Sequence, residues 1–352
     1  MRAFSEPPLA HLLKPPASMT ETKGWWRRVG DKDAGFRYLK VDGEELVWEA
    51  GLERIERLAI PPGWTHVHIA PSSKRKIQAW GRDAAGRKQY IYSEEAVAAR
   101  ERRKWDRVLA YARSLPALRE ATNGDLKRPT LDRRKVLATV VRLMSRAFFR
   151  IGSERYAVEN RTFGIATLKK RHLEIRGNDL VFTYVGKRRK DQRRVIADTP
   201  LVEIIREIVE LPGSRLFRYR DGEGRVRSVT ARSVNRYIKE ILHERYTSKD
   251  LRTFGGTVRA ATILADLGPA GSRREAHRNT VMTARLVASE LGNTPSIARS
   301  AYIHPAVFER YEAEGLTIAP LMRRRPREVR SEEPVEYYPE EAALMRFLER
   351  YG

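Results

Sequence analysis

Gly292-Asn293-Thr294-Pro295-Ser296-Ile297-Ala298-Arg299-Ser300-Ala301-Tyr302-Ile303-His304-Pro305 is the stretch around which this chain is read. Thr294 followed by Pro295 predicts a helix start, because Thr can cap exposed amide groups and Pro has no N–H to lose in the first turn. Tyr302 then falls about two turns into that helix. Thr294, Ser296 and Arg299 are expected to surround it with hydroxyl and guanidinium groups, a setting suited to a phosphate. Taken alone, Tyr302 reads more readily as one of fourteen tyrosines packed at a domain surface.

Two further stretches change that weighting. They are Tyr184-Val185-Gly186-Lys187-Arg188-Arg189-Lys190 and Lys249-Asp250-Leu251-Arg252-Thr253-Phe254-Gly255-Gly256-Thr257, with Arg150-Ile151-Gly152 upstream. The order Arg, Lys, Arg, Tyr and these flanks resemble the catalytic domain of type IB DNA topoisomerases, in particular the compact bacterial and poxvirus-like enzymes. The resemblance runs from about Gly24 to Gly315. It implies that Tyr302 is the nucleophile of a 3′-phosphotyrosyl link, that Arg150 and Arg252 stabilise the transition state, and that Lys187 is the general acid. Lys249 would be a supporting phosphate contact. Asn293 stands where the poxvirus and eukaryotic enzymes carry His, and its amide can donate one hydrogen bond to a non-bridging oxygen. The implied activity is relaxation of positive and negative supercoils in double-stranded DNA by a monomer acting as a clamp, without ATP, metal or other cofactor.

Composition supports the same partner independently. Lys plus Arg number 69 against 45 Asp plus Glu, a formal net charge of +24. Such an excess attracts polyanions, and nucleic acid is the commonest polyanion met by a soluble protein. The basic residues are spread over the chain rather than gathered on one amphipathic helix, which argues against a membrane surface. The absence of cysteine rules out disulfides and thiolate metal sites. No apolar run reaches a membrane span and the N-terminus lacks a signal core, so a cytoplasmic protein, at the bacterial nucleoid by resemblance, is expected.

Residues 1–22, rich in Pro, are expected to stay disordered. Residues 23–98 read as a β-rich DNA-binding domain. Phe36–Val41 and Glu45–Trp48 would flank a type I′ turn at Asp42-Gly43, and His66–Ile69 alternates as a half-buried strand. Its two His residues lack a third metal ligand. Lys88, Tyr90 and Tyr92 alternate with Gln89 and Ile91, so a strand would project a cation and two phenols on one face, groups suited to phosphate oxygens and base edges. An ordinary amphipathic edge strand has the same pattern. In the small type IB enzymes the matching Gln and both Tyr residues touch DNA, which implies contact by Gln89, Tyr90 and Tyr92.

Ser93 is expected to cap a helix that stops before Pro116, and the polar Thr122–Pro129 segment reads as a linker or turn. Residues 99–320 read as a mainly helical catalytic domain with one three-stranded antiparallel sheet, giving an α+β fold overall. Thr130 would start a buried helix carrying Val136, Leu137, Val140, Val141, Met144 and Phe148 inward, with Arg150 at its end. There Arg150 could meet its own helix's carbonyls or, by resemblance, a phosphate. Leu173–Arg176, Leu180–Val185 and Arg193–Ile196 form the sheet, with Lys187 at a hairpin tip. Thr199-Pro200, Thr230 and Ser272 open further helices, the last ending at Gly292. Residues 321–352 read as a charged tail whose Leu344, Phe347, Leu348 and Tyr351 have helical spacing, docking either on the domain or on a partner.

Two other readings stand beside the first. A tyrosine recombinase uses the same Arg, Lys and Tyr chemistry at two synapsed sites, and a non-catalytic DNA-binding protein needs only the charge.

Overall fold

The computed structural model describes residues 24–242, 246–322 and 334–352. The expected disorder of residues 1–22 and residues 323–333 of the charged tail therefore lie outside the described residues. The chain divides into two compact units, Met1–Lys104 and Trp105–Gly352.

In the first unit, β1 (Trp26–Asp31), β2 (Gly35–Leu39), β3 (Thr65–Ile69), β4 (Ile77–Arg82) and β5 (Lys88–Tyr92) form an antiparallel sheet in the order β2-β1-β3-β4-β5, with helix α1 (Glu49–Arg57) between β2 and β3 in sequence. Alternation along the strands builds two apolar clusters. Trp26, Leu46, Ile55, Trp64, Val67, Ile69 and Ala79 form one, and Trp25, Ala70, Ile77 and Tyr90 the other. The hairpin around Asp42-Gly43 differs from expectation. Strand β2 pairs mainly with β1, while Leu39 and Glu45 make a single isolated bridge. Of the two turn residues only Gly43 has positive φ (94°), and Lys40 N–H donates to Glu44 O at 2.7 Å. A type I′ turn needs positive φ at both central residues. Asp42 does not supply it, so a three-residue loop closes instead.

The second unit begins within α2 (Glu94–Arg113), which Ser93 caps by accepting from Ala96 N–H at 3.2 Å. Helix α3 (Leu115–Leu126) occupies the Thr122–Leu126 part of the segment read as a linker. Its polar residues are buried in pairs: Asp125 accepts from Tyr237 Oη at 2.7 Å and Arg134 Nε at 2.9 Å, and Asn123 accepts from Arg142. Buried polar groups are tolerated when satisfied, so polarity here marks an internal network rather than a turn. Helix α4 (Arg133–Ala147) starts at Asp132, not Thr130; the Asp132 carboxylate accepts from Lys135 N–H. Its expected apolar face is buried through Met144, and Phe148 leaves the helix as a left-handed cap with φ 52°.

A short helix α5 (Glu154–Glu159) precedes the meander β6 (Leu173–Arg176), β7 (Asp179–Val185) and β8 (Asp191–Ala197), ordered β6-β7-β8. Helix α6 (Thr199–Glu210) follows. A second small sheet, β9 (Arg218–Arg220) with β10 (Val226–Ser228), was not anticipated. Then come α7 (Ala231–Leu242), α8 (Ser248–Leu267), α9 (Arg273–Leu291), α10 (Pro295–Tyr302) and α11 (Pro305–Glu314). Helix α12 (Pro339–Tyr351) resolves the tail's destination. Leu344, Phe347 and Leu348 are buried in the unit's own core, and Arg119 is paired with Glu341 at 2.7 Å. No helix among the described residues is long and apolar enough to cross a membrane.

Candidate active site

Two helix ends and a hairpin supply the site. Helix α9 stops at Gly292, whose φ of 66° is the left-handed C-cap conformation that glycine adopts without penalty. Two residues later Thr294 accepts from Ile297 N–H and Pro295 occupies the first turn of α10. Tyr302 is the last residue of that helix. Its carbonyl accepts from Thr257 Oγ1 at 3.2 Å, and a Cβ on Gly256 would lie 2.9 Å from the same oxygen. Gly256 thus lets α8 approach the Tyr302 backbone closely.

Arg252 projects from α8 into this junction. It is 4% exposed, donates through Nη2 to Leu291 O at 2.9 Å, and carries its guanidinium carbon 5.5 Å from the centroid of the Tyr302 ring. Its Nη1 is buried with no hydrogen-bond partner. Burial holds its pKa down at about 10 against the pull of Tyr302. A buried donor left unsatisfied is costly, and a guanidinium in that state is prepared for an anion. The N-terminus of α8 is fixed by Asp250, which takes a bidentate pair from Arg107 (2.8 and 2.6 Å) and accepts Thr247 N–H at 2.8 Å.

Arg150 lies beyond the α4 cap, with its own carbonyl accepting Ile165 N–H at 2.8 Å. Its Nη2 donates to Gly292 O at 2.9 Å and to the Asn293 side-chain oxygen. The carbonyls it meets therefore belong to the α9–α10 junction, not to its own helix. Because Oδ1 of Asn293 faces Arg150, Nδ2 faces away, buried and without a partner. Lys187 sits on the β7–β8 turn, where Arg188 and Arg189 have φ of 61° and 57°. Its residue surface is exposed, yet its pKa is lowered, first by partial desolvation and then by Arg150. Lys249 is exposed in the first turn of α8.

These side chains act together on Tyr302. Burial alone pushes its phenol up, but the charges of Arg252, Arg150 and Lys249 outweigh it, and the hydroxyl falls below its ordinary value. Arg150, Lys187 and Arg252 line one pocket with Tyr184, Gln192 and Arg194. From the sequence, Arg194 reads as one of the basic residues around the hairpin turn, either merely solvated or an electrostatic contact to DNA, while Tyr184 and Gln192 carry no role of their own. Tyr184 and the alternating Gln192 and Arg194 lie within strands, and only the β7–β8 register brings them beside Arg150. The expected surroundings of Tyr302 are also corrected. Arg299 donates to Glu312 at 3.3 Å and covers Phe308, Ser296 is exposed, and Thr294 serves as the cap. The cations near the phenol come instead from residues distant in sequence.

In the first unit, Lys88 Nζ lies 3.7 Å from the Trp80 ring centroid, Tyr90 is 6% exposed, and Tyr92 is half-buried on the same strand face. Gln89 donates through Nε2 to Asp83 at 2.8 Å. His68, one of the histidines considered as a metal ligand, stacks on Trp80 at 4.1 Å. No group of three potential ligands that could hold a metal occurs among the described residues.

Comparison with known proteins identifies the family. The family model described as the catalytic core of eukaryotic DNA topoisomerase I matches residues 88–323, and that of the N-terminal domain of bacterial DNA topoisomerase IB matches residues 35–83. DNA topoisomerase 1B of Acanthamoeba polyphaga mimivirus is 31% identical over 294 residues, covering 81% of this chain and 86% of the relative. DNA topoisomerase 1B of Vaccinia virus (strain Copenhagen) is 26% identical over 239 residues, 65% of this chain and 70% of the relative.

Proposed function

This chain belongs to the type IB DNA topoisomerase family, and on that premise we propose that it relaxes positive and negative supercoils by nicking one strand of duplex DNA through a 3′-phosphotyrosyl intermediate on Tyr302. The observation that carries the reading is the pair of buried donors without partners, Arg252 Nη1 and Asn293 Nδ2, beside a phenol whose pKa is lowered. Donors fixed before substrate arrives stabilise charge that develops in the transition state.

In this mechanism the Tyr302 proton passes to solvent, the phenolate Oη attacks phosphorus, the bond from phosphorus to the 5′ oxygen breaks, and Lys187 gives a proton to that oxygen. Arg150 and Arg252 hold the non-bridging oxygens, Asn293 Nδ2 donates to one of them, and Lys249 adds an outer contact. The phosphotyrosyl ester conserves the energy of the broken bond, so after strand rotation the 5′ hydroxyl reverses the reaction without ATP or metal. Residues 99–320 carry this chemistry. Residues 23–98 contact DNA through Lys88, Gln89, Tyr90 and Tyr92, and the protein acts as a monomer on chromosomal DNA.

Plasmid relaxation in excess chelator without ATP tests the proposal. Both signs of supercoil should relax. Binding without relaxation would leave the non-catalytic reading, and joining of two specific sites would leave the recombinase.

A further inference from the structure

Gln192 on β8 lies between two glycines that each precede a residue of the site. A Cβ on Gly186, next to Lys187, would come 2.8 Å from Gln192 Cγ; a Cβ on Gly292, next to Asn293, would come 2.5 Å from Gln192 Oε1. The stem of one side chain thus packs on the hairpin base and its amide on the α9 cap. The same amide is held from behind, since Arg194 Nη2 donates to Gln192 Oε1 at 2.8 Å and Gln192 Nε2 donates to Asp191 O at 2.9 Å. A second link runs parallel to it, with Lys190 Nζ donating to Asn293 O at 3.3 Å. The turn itself needs such support. Two consecutive arginines in the left-handed region are disfavoured by the clash of Cβ with the following carbonyl oxygen, so an untethered hairpin has cheaper conformations available.

We infer that Gln192, clamped by Arg194, is a positioning residue that docks the Lys187 hairpin against the Gly292–Asn293 turn and so sets where the Lys187 ammonium stands over the leaving oxygen. This rests on the general-acid role proposed above for Lys187. A Cβ at Gly186 would press on the Gln192 stem and one at Gly292 would displace its amide, beyond the strain that the positive φ of Gly292 imposes on any other residue. The tether bears on proton donation rather than on DNA affinity, since Gln192 adds no charge.

The test measures single-turnover cleavage by full-length protein of a duplex with an ordinary phosphodiester, and of one whose 5′ bridging oxygen is replaced by sulfur. A thiolate leaves without protonation, so a defect in proton donation vanishes on the sulfur substrate. Gln192→Ala is expected to slow ordinary cleavage about 10- to 100-fold, the scale of a slightly misplaced catalytic group, to regain near-normal cleavage on sulfur, and to bind DNA and melt as the parent does. Arg194→Met should show a smaller, equally sulfur-reversible loss. A Gln192→Ala defect that persists on sulfur, an unchanged rate on oxygen, or lost DNA binding would each overturn the inference. Lys187→Ala serves as the reference: if sulfur does not restore it, the general-acid reading fails, whereas recovery of Lys187→Ala but not of Gln192→Ala defeats the tether alone.

Discussion

The strand face carrying Lys88, Tyr90 and Tyr92 and the pocket carrying Arg150, Lys187 and Arg252 both set cations beside phenols, yet with opposite electrostatic results. On the strand, the Lys88 ammonium lies on Trp80, and burial raises the phenols of Tyr90 and Tyr92. In the pocket, burial also raises Tyr184 in spite of Arg194, Arg252 and Arg150 nearby, while Tyr302, next to Arg252, is lowered. A cation therefore does not by itself make a phenol acidic. The separation lies in placement: Arg252 keeps an unpartnered donor and its guanidinium close to the Tyr302 ring, and Lys249 adds a charge at Tyr302 that is not among the causes acting on Tyr184.

Removing the phenol where the effect is unique should break this contrast most completely. Tyr302→Phe keeps the ring and its packing, so DNA affinity is expected to change by less than about 1 kcal/mol, the net worth of one neutral hydrogen bond, while relaxation disappears. Denaturing the parent protein during turnover should trap a strand joined at its 3′ end to the peptide containing Tyr302. Attachment at the 5′ end, or relaxation by the Phe variant, would contradict the assignment.

A smaller loss is expected from Asn293→Ala, roughly tenfold to a few hundredfold in cleavage rate, the scale of one lost oxyanion donor. His in its place should largely preserve activity. Undiminished cleavage by the Ala variant would mean that Nδ2 is an incidental orphan and that Asn293 serves only the junction between α9 and α10.

The pH profile sharpens the comparison further. Tyr302 acts as phenolate and its pKa is lowered from 10.0, so single-turnover cleavage should rise with pH and level off below the ordinary phenol value. Lys187 must be protonated and its pKa is lowered from 10.5, so the rate should fall again on the alkaline side. The two apparent values belong to the coupled pair. Lys187→Ala is expected to be slower throughout and to lack the alkaline fall; a fall retained in that variant would assign the acid to another group.

How much of this was legible beforehand follows from how local each signal is. Gly292, Thr294 and Pro295 carry capping chemistry that acts within a few residues, and the helix boundaries around them are where the residues indicate. The four-residue order Arg, Lys, Arg, Tyr marked the site through resemblance. What stayed hidden depends on partners far along the chain. Thr122–Asp125 looked like a turn because Asn123 and Asp125 are polar, and their partners Arg142, Arg134 and Tyr237 are known only from the packing. The orientation of the Asn293 amide follows from Arg150, 143 residues away. Arg299 was assigned to Tyr302 by proximity in sequence, whereas the neighbouring helix α11 supplies its carboxylate.

The smallest expected effect separates the two regions by salt. Each phosphate neutralised by a cation releases counterions and adds about 0.9 to the slope of log affinity against log salt. Lys249 is exposed, so Lys249→Ala should lower the slope by about one such increment. Lys88 begins stacked on Trp80 at 3.7 Å, an interaction worth about 0.5–1 kcal/mol at an exposed site, and it can reach a phosphate only by sharing its ammonium with the ring or leaving it. Lys88→Ala is therefore expected to remove only a fraction of an increment and to weaken binding by less than Lys249→Ala at low salt. A full increment lost with Lys88→Ala would show that the ammonium departs from Trp80 when DNA binds, and the strand face would then offer an open charge as the pocket does.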